Sequence, residues 1–307
     1  MKRKIIAMLL VIFLVPNFVH AKVIEPYINN NGIEISDNDY INLLNLGFTE
    51  FEIENMNLDE FNSNHNLIGN IVSSETKYYK NVTRYDNNNN LISNNDYEIT
   101  LTDYISGEQT NINLPYGNGY VETNYKKMTT QIISVVNKYR YKVTVQWKSI
   151  PSVRSYDIIG IGIDSNVVID SGITFQQDYC YSNGTCYSSN VSMVKTLSSG
   201  GGALFCLPSS SNVSSMSSYL YFNVNKKNTG SIITSQHAYG DYAHAVKTTY
   251  TSYYDHFSVT QAGIVLDSTS VNSYDTMSSA IASWSGNWWF LDCMLLLKVL
   301  IKGGAKN

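Results

Sequence analysis

Apolar and polar side chains alternate without exception from Tyr139 to Lys148. The odd positions carry Tyr, Tyr, Val, Val and Trp, while the even positions carry Arg, Lys, Thr, Gln and Lys. A period of two places these two sets on opposite faces of a β-strand. The segment therefore predicts a strand with one face in a hydrophobic core and the other face in water.

A second strand is predicted from Ser155 to Asp164, after a short loop that contains Pro151. Ile159, Ile161 and Ile163 fall on one face, and Gly160 and Gly162 fall on the other. Glycines in a strand leave room for another group to lie close to that face. We predict that this strand pairs with the first one and that together they form the central hairpin of the protein.

Further strand patterns follow one another along the chain, with turn residues between them. They lie at 76–85, 91–101, 120–136, 173–180, 186–197, 203–207, 219–225, 231–239, 241–253 and 256–266. Short strands with regular turns and without long amphipathic helices are typical of an antiparallel β-sandwich, with a β-barrel as the alternative. The predicted sandwich domain covers residues 72–290, and its Ser-rich segment 208–218 is predicted to be a loop.

A short module of three helices is predicted at residues 36–66, ahead of the strands. Ser36 can cap a first helix, and Thr49 followed by Glu52 is the pattern of a capping box. Asn57 occupies the equivalent position ahead of a third helix. The mainly β domain is therefore expected to be preceded by a small helical segment.

This helical module contains the pattern SxxDYxxLLxLGFTxxEIxxM, which begins at Ser36. Together with the later segments YVETNYKKMTT and YRYKVTVQWKSIPSVRSYDIIGIG, it resembles a group of uncharacterised secreted proteins of low-GC Gram-positive bacteria. The resemblance extends from residue 36 to about residue 260. It implies export and a similar architecture. It implies no catalytic residue, because the group has no assigned activity.

The N-terminus has the order of a secretory signal peptide. A basic start is followed by the apolar run 5–15 and then by Ala21, a small residue suited to a cleavage site. The apolar run is too short to cross a bilayer. We therefore predict a signal peptide over residues 1–21, a secreted mature chain, and a linker over the Asn-rich residues 22–35.

The C-terminal segment 291–307 differs from the rest of the chain, because it is rich in Leu and poor in Asn. Asp292 and Lys298 interrupt its apolar run, and each would be costly near the centre of a bilayer. A membrane anchor, an amphipathic closing segment and a shifted reading frame are the alternatives for this tail. No stable membrane span is predicted for the mature chain.

Charged residues make up only 15% of the 307 residues, and the net charge is −4. This balance, without a long basic cluster in the mature chain, argues against a nucleic-acid partner. Polarity comes instead from Asn, Ser, Thr and 24 Tyr residues. The bias reflects either an AT-rich genome or selection for a surface rich in hydroxyl groups.

Four cysteines in an exported chain predict disulfides, and four cysteines allow three pairings. The segment from Cys180 to Cys186 fits a hairpin whose loop places Gly184 in a left-handed conformation and the two cysteines opposite each other. This geometry favours a Cys180–Cys186 disulfide. Cys206 lies in an apolar run and is predicted to be a buried thiol, and Cys293 lies in the C-terminal tail.

One cluster of ionisable residues has the composition of a functional site: His237, Asp241 and His244, with Asp255 and His256 downstream. Imidazole and carboxylate groups can bind zinc or calcium, or act as an acid–base pair. The first and third of these residues are seven positions apart, so they would face opposite sides of one continuous strand. A turn near Asp241 would be needed to bring them together. Ordinary strand and turn residues are the alternative interpretation.

Other catalytic and cofactor motifs are absent from the sequence. There is no G-x-S-x-G elbow for a serine nucleophile. Gly160 and Gly162 lie within a strand pattern and are not followed by a helix, unlike the glycines of a phosphate-binding loop. We therefore assign no catalytic residue, no resident metal and no cofactor from the sequence.

These observations favour a secreted β-sandwich protein that binds a glycan or a host or cell-surface protein and has no catalytic activity. The motivation is the export signal, the all-β pattern and the abundant Tyr, whose ring packs and whose hydroxyl forms hydrogen bonds. A secreted hydrolase with acid–base residues near 237–256 is one alternative. A β-pore-forming toxin that unfolds the region 208–235 into a membrane hairpin is the other.

Overall fold

The computed structural model describes residues 27–108, 110–113, 119–136, 138–286 and 288. The predicted signal peptide at 1–21 and the predicted tail at 291–307, with Cys293, lie outside the described residues. The same is true of the first part of the predicted linker.

The described part of the chain has short helices near its start and strands over most of its length. The helices are α1 (Asp37–Asn45), α2 (Glu50–Asn55), α3 (Leu58–Asn64) and α4 (Leu101–Ser106). The strands are β1 (Tyr27–Ile28), β2 (Glu34–Ile35), β3 (Gly69–Tyr85), β4 (Leu91–Ile99), β5 (Thr110–Asn113), β6 (Tyr120–Val135), β7 (Lys138–Trp147), β8 (Tyr156–Ile163), β9 (Val167–Ile169), β10 (Thr174–Tyr181), β11 (Cys186–Ser189), β12 (Met193–Leu197), β13 (Gly200–Cys206), β14 (Val213–Lys226), β15 (Ser235–Ala245), β16 (Phe257–Thr260), β17 (Gly263–Leu266), β18 (Tyr274–Thr276) and β19 (Ala280–Ser285).

Two antiparallel sheets contain most of the strands within the described ranges. The larger sheet has nine strands in the path β11-β10-β14-β7-β6-β3-β4, with β5 beside β6 and β9 beside β14. The smaller sheet has six strands in the path β12-β13-β8-β15-β18, with β19 beside β15. Both sheets end in edge strands and share one core. The predicted antiparallel sandwich is therefore confirmed, and the alternative of a sheet closed on itself is wrong.

The main core lies between the two sheets. The odd positions of β7, including Tyr141, Val143 and Val145, are buried in it, as the alternation predicts. Ile159 and Ile161 of β8 belong to the same core from the smaller sheet. Each such side chain contributes roughly 1.5–3 kcal/mol when it is removed from water. This apolar layer holds the two sheets together.

The even positions of β7 lie beneath the helical module and not in water. Arg140 is 3% exposed, Lys142 is 0% exposed and Thr144 is 4% exposed. Leu43 of α1 and Phe48 of the α1–α2 turn belong to a second core on this side of the larger sheet. The prediction of a solvent-facing polar surface is therefore wrong. Alternation distinguishes the two faces of a strand, but it does not report what covers each face.

A buried ion pair fastens the helical module to this face. Lys142 Nζ donates to Glu52 Oε2 at 2.5 Å and to the carbonyl oxygen of Gly47 at 2.8 Å. Thr144 Oγ1 donates to the other carboxylate oxygen at 2.9 Å. Burial lowers the pKa of Lys142, and the adjacent Glu52 carboxylate opposes that shift. Both charged side chains are fully buried, so each one depends on the other for its stability.

The helix starts agree with the sequence prediction. Ser36 caps α1, and Asn57 caps α3 through the backbone N–H of Glu60. Thr49 and Glu52 form a complete capping box at α2. Because that box orients the Glu52 side chain, the local helix signal also positions the partner of Lys142. In the described part of the chain, no helix has the length and apolarity needed to cross a membrane.

Residues 27–35, which the sequence assigns to the linker, are structured. β1 and β2 pair with each other, and Asn29 Nδ2 donates to the carbonyl oxygen of Ile53 at 3.2 Å. Ile33 and Ile35 are buried in the second core. Strands of two residues are too short to show a hydrophobic period, so the pattern missed them.

A further hairpin covers the outer face of the smaller sheet. β16 pairs with β17, and their residues Val259 and Ile264 pack over Gly160 of β8. A Cβ atom at Gly162 would collide with the carbonyl oxygen of Thr260. The close approach that these glycines predict is therefore made by another segment of the protein itself.

Two predictions about strand connections are wrong. β7 and β8 belong to different sheets and face each other across the core, so they do not form a hairpin. The predicted loop at 208–218 is too long, because β14 begins at Val213. Leu220 and Phe222 of β14 are fully buried in the main core.

The predicted disulfide between Cys180 and Cys186 is present. It joins β10 to β11 at a directly paired position, and Gly184 has a φ of +85° in the connecting loop. The prediction for Cys206 is wrong, because its thiol is free and exposed. This residue is the last one of β13, where the strand leaves the core.

We predict that Lys142→Ala lowers the free energy of unfolding by about 3–5 kcal/mol, because it leaves the Glu52 carboxylate buried without its cation. Urea unfolding followed by tryptophan fluorescence measures the change. The double variant Lys142→Met with Glu52→Gln should recover most of the loss, since both charges are then removed.

Lys138→Ala on the same strand is the matched control. The Lys138–Asp170 pair is about one-third exposed on each side, so its loss should cost about 1 kcal/mol or less. Equal effects of Lys138→Ala and Lys142→Ala would contradict the assignment of the buried pair as the fastening contact.

Candidate functional site

His237 and His244 do not meet, because β15 runs without a turn from Ser235 to Ala245. His237 Nδ1 lies 2.9 Å from Asp164 Oδ2, and Tyr239 donates its hydroxyl to the other oxygen of Asp164 at 3.1 Å. The His237 side chain is 36% exposed. This pair therefore lies near the surface at the end of β8.

His244 belongs to a separate, buried network. Its Nδ1 lies 2.9 Å from Asp157 Oδ2, and its side chain is 5% exposed. Asp157 also accepts the hydroxyl proton of Tyr242 and, at 2.9 Å, the backbone N–H of Ala245. With these donors the carboxylate has the hydrogen bonds that a buried anion requires. The arrangement holds β8 against β15.

Asp241 fastens the outer hairpin to the smaller sheet. Its carboxylate accepts the backbone N–H of Tyr242 at 2.7 Å and that of Ile264 in β17 at 2.8 Å. Burial raises the pKa of Asp241 to about 7, and the two backbone hydrogen bonds limit the rise. The carboxyl group is 4% exposed and points toward the protein's own hairpin. Its role in this position is structural.

Asp255 and His256 lie in a 3₁₀ turn at Thr251–His256, apart from the other candidates. His256 Nδ1 lies 2.6 Å from Asp267 Oδ2. Hydrogen bonds from Thr269 and then from His256 hold the pKa of Asp267 below its usual value. Across the described ranges, no group of three His, Cys, Asp or Glu side chains is arranged to hold a metal ion.

An open cleft of about 590 Å³, here called the Tyr120 cleft, lies apart from the sequence-predicted candidates. It is built from the end of α4, strands β5 and β6, the β7–β8 loop and the start of β14. Its lining residues are Gly107, Glu108, Asn111, Tyr120, Glu122, Lys148, Ser149, Ile150, Pro151, Ser152, Arg154, Ser211, Val213 and Ser214. Hydroxyl, amide and carboxylate side chains line this cleft together with Tyr120.

Hydrogen bonds and ring packing hold one wall of the Tyr120 cleft in place. The rings of Tyr85 and Tyr120 stack with their centroids 4.7 Å apart. Glu122 Oε1 accepts from Asn124 Nδ2 at 2.6 Å and from the backbone N–H of Ser152 at 2.9 Å. Burial raises the pKa of both tyrosines, so their hydroxyl groups stay protonated over the physiological range. The wall therefore holds the stacked Tyr120 ring in place, and the buried Glu122 carboxylate fixes the adjoining Ser152 backbone.

The two cations of the cleft are bound to backbone carbonyl groups. Lys148 Nζ donates to the carbonyl oxygens of Tyr104 at 2.7 Å and Ile105 at 2.6 Å, at the end of α4. Cations in this position satisfy carbonyls that the helix leaves unpaired. Arg154 donates in the same way to the carbonyl oxygen of Ser210. Both side chains hold the loops that form the rim.

A second cleft of about 390 Å³ adjoins the first and shares Gly107 and Glu108 with it. The ring of Tyr125 lines this second cleft, and a Cβ atom at Gly107 would collide with that ring. The two clefts form a groove along α4 with an aromatic residue in each half. A groove of this kind can accept an extended polar ligand.

Sequence patterns missed the Tyr120 cleft. The sequence pattern predicts only a strand for Tyr120 and Glu122, and only a Ser-rich loop for Ser211. Long-range pairing of strands brings the lining residues before 123 together with the segments 148–154 and 211–214. No short motif spans them, so a local signal for this site does not exist.

The fold and the site define an antiparallel two-sheet protein with a helical cover and a polar, aromatic groove at its rim. No protein-family model and no curated protein matches the chain. Among solved structures, the major pilin subunit of Bacillus cereus is similar at 9% identity and a TM-score of 0.27, over 68% of this chain. The chain spans 64% of that pilin's length.

The collagen-binding domain of the surface protein RspB of Erysipelothrix rhusiopathiae is similar at 5% identity and a TM-score of 0.23. That alignment covers 72% of this chain and 83% of the domain. TM-scores this low carry no argument about the fold or the activity of this chain. The conclusions below therefore rest on its own residues.

We predict that Asp241 makes stability fall as the pH rises from about 4 to about 7. Its folded pKa of about 7 exceeds the unfolded value of about 3.9. The folded state therefore keeps a proton in this window that the unfolded state has released. The free energy of unfolding then decreases by up to about 1.4 kcal/mol per pH unit from this group.

Urea unfolding of wild type and Asp241→Asn at about pH 5 and about pH 7 measures this slope. The variant should lose less stability between the two pH values than wild type does. Asp275, whose pKa burial also raises to about 7, keeps part of the slope in both proteins. Asp59→Asn, at an exposed carboxyl in α3, is the control. An identical slope in wild type and Asp241→Asn would contradict the prediction.

Proposed function

We propose that the chain is a secreted binding protein that recognises a glycan in the Tyr120 cleft. The observation that carries the proposal is the combination of the stacked Tyr120 ring with the exposed amide of Asn111 and the exposed hydroxyl groups of Ser211 and Ser214 in one open cleft. A sugar has apolar C–H faces and many hydroxyl groups. A ring with hydrogen-bonding groups around it matches both features.

The size and rigidity of the cleft also favour a small or extended polar ligand. Its volume of about 590 Å³ is within the roughly 300–1,000 Å³ of typical ligand sites. The wall residues Glu122 and Ser152 are fixed by hydrogen bonds, so little ordering is needed when a ligand binds. The adjoining cleft at Tyr125 would extend the same site to further sugar units.

Secretion is part of the proposal and rests on the sequence. The N-terminal pattern is that of a signal peptide, and the chain resembles uncharacterised secreted proteins of Gram-positive bacteria. The Cys180–Cys186 disulfide supports the same compartment, because disulfides persist in oxidising surroundings.

The structure offers less support for the two alternative functions. A hydrolase would need acid–base residues in one cleft, whereas His237, Asp241 and His244 each bind a different structural partner. A pore-forming toxin would need to release β14, whose residue Phe222 is fully buried in the main core. Both alternatives stay predictions.

A glycan array probed with the purified mature chain tests the proposal. We expect binding to a subset of glycans, and we expect Tyr120→Ala to weaken it by about tenfold or more. That loss corresponds to one aromatic contact of about 1.4 kcal/mol. Titration calorimetry with the best glycan on the array gives the affinities.

Tyr239→Ala is the matched control, because it removes a partly exposed Tyr from the other end of the sandwich, beside Asp164. It should leave glycan affinity unchanged. A folded wild-type chain that binds no glycan above background would contradict the proposal. Binding that survives Tyr120→Ala would instead place the site elsewhere.

A further inference from the structure

Lys126 is a buried cation between two carboxyl groups in the main body of the sandwich. It lies on β6 and is 0% exposed. Its Nζ lies 2.6 Å from Asp96 Oδ2 of β4 and 3.6 Å from Asp275 Oδ2 of β18. The two carboxylate side chains are 6% and 10% exposed. An amine and two carboxyl groups therefore share one site that is largely closed to water.

Aromatic rings form the other side of this site. Lys126 Nζ lies 5.0 Å from the ring centroid of Trp147 and 5.9 Å from that of Tyr242. Asn81 Nδ2 donates to Asp275 Oδ2 at 2.8 Å and so fixes the position of the second carboxyl group. The rings exclude water from the amine, and the amide holds the acid beside it.

The two carboxyl groups are unequal. Burial raises the pKa of Asp96, but the adjacent Lys126 ammonium group outweighs that effect and holds the pKa below its usual value. Burial raises the pKa of Asp275 to about 7, and the neighbouring Asp96 carboxylate adds to the rise. Asp275 therefore keeps a proton more readily than Asp96, which lies 2.6 Å from the amine. Two close carboxyl groups that share a proton are suited to acid–base work.

We propose that Lys126 and Asp96 condense into an intramolecular isopeptide bond once the chain has folded, with Asp275 carrying the protons. The ion pair in the structure is the state that precedes this bond. The inference does not depend on the glycan proposal, since the site lies inside the sandwich and outside the Tyr120 cleft.

The reaction balances without any other reactant. The ammonium group of Lys126 first transfers a proton to the Asp96 carboxylate, which gives a neutral amine and a neutral acid. Nζ then attacks Cγ of Asp96 and loses a proton to Asp275, which gives its own proton to the departing hydroxyl group. The C–O bond breaks, and one water leaves. Asp275 ends protonated, as it began, and one buried ion pair has become one neutral amide.

Burial favours this step because two desolvated charges disappear. Keeping an ammonium and a carboxylate out of water costs several kcal/mol per ion before their attraction is counted. The folded chain also holds the amine against the acid, which replaces a bimolecular encounter by a local one. The resulting bond would join β4 and β6, the two neighbours of β3 in the larger sheet.

Lys142 provides an internal comparison in the same sheet. It is equally buried, but its Nζ donates to Glu52, to the Gly47 carbonyl oxygen and to the Thr144 hydroxyl group. These three acceptors use the three protons of an ammonium group. Lys142 is therefore expected to remain an ion pair.

Mass spectrometry of the purified wild-type chain, denatured and reduced, tests the proposal directly. The expected intact mass is lower than that of the processed sequence by one water molecule. Protease digestion should give a branched peptide, and fragmentation should place the branch between Lys126 and Asp96. The peptide that carries Lys142 should be unbranched.

Two variants test the roles of the residues. Lys126→Arg keeps a buried cation but has no amine that can form the bond, so its mass should match its own sequence. Asp275→Asn removes the proton carrier, and the branched peptide should be lost. A folded wild-type protein with the unmodified mass would overturn the proposal whether or not the variants fold. A branch from Lys126 to Asp275 would overturn the assignment of Asp96 as the acid that reacts.

Discussion

The ion pair between Lys142 and Glu52 joins a helix start to a strand of the larger sheet, and the position of the helical module depends on it. A capping box at the start of α2 orients the carboxylate, and the alternation of β7 orients the ammonium group toward it. Neither group can be left alone in a buried position without a large cost. The helical module is therefore held over the larger sheet at a defined position. As a result β7 is buried on both faces, by the main core on one side and by the helices on the other.

Because both faces of the central strands are buried, the Tyr120 cleft lies at the rim of the sandwich. The larger sheet is covered by helices, and the smaller sheet is covered in part by the β16–β17 hairpin. The exposed chemistry of the Tyr120 cleft comes from strand ends and loops, where side chains are free to face solvent. Loops on a rigid scaffold are the usual carriers of binding residues. The cations Lys148 and Arg154 shape that rim through hydrogen bonds to backbone carbonyl oxygens.

The sequence predicted those features that depend on neighbouring residues. Alternation identified β7, strand patterns placed a strand at 219–225 within β14, capping residues identified the starts of α1 to α3, and loop geometry identified the Cys180–Cys186 pair. Features that depend on distant residues were missed. The pattern of Arg140 and Lys142 shows a polar face, but only the position of the helices decides that this face is buried. The Tyr120 cleft was missed for the same reason, since its three segments meet only through strand pairing.

The two buried lysines show how position in a sheet gives one residue type two different chemistries. Lys142 on β7 faces the helices, where a carboxylate, a carbonyl and a hydroxyl share its charge. Lys126 on the neighbouring strand β6 faces the smaller sheet, where it meets two carboxyl groups and aromatic rings. Lys142 has a single carboxylate beside it, and its carbonyl and hydroxyl partners do not carry a proton between reacting groups. A second carboxyl group can accept and return a proton, and Asp275 reaches Lys126 because β18 lies in the opposite sheet. In our proposal, the packing of the two sheets therefore makes Lys142 a stable ion pair and Lys126 the reactive amine.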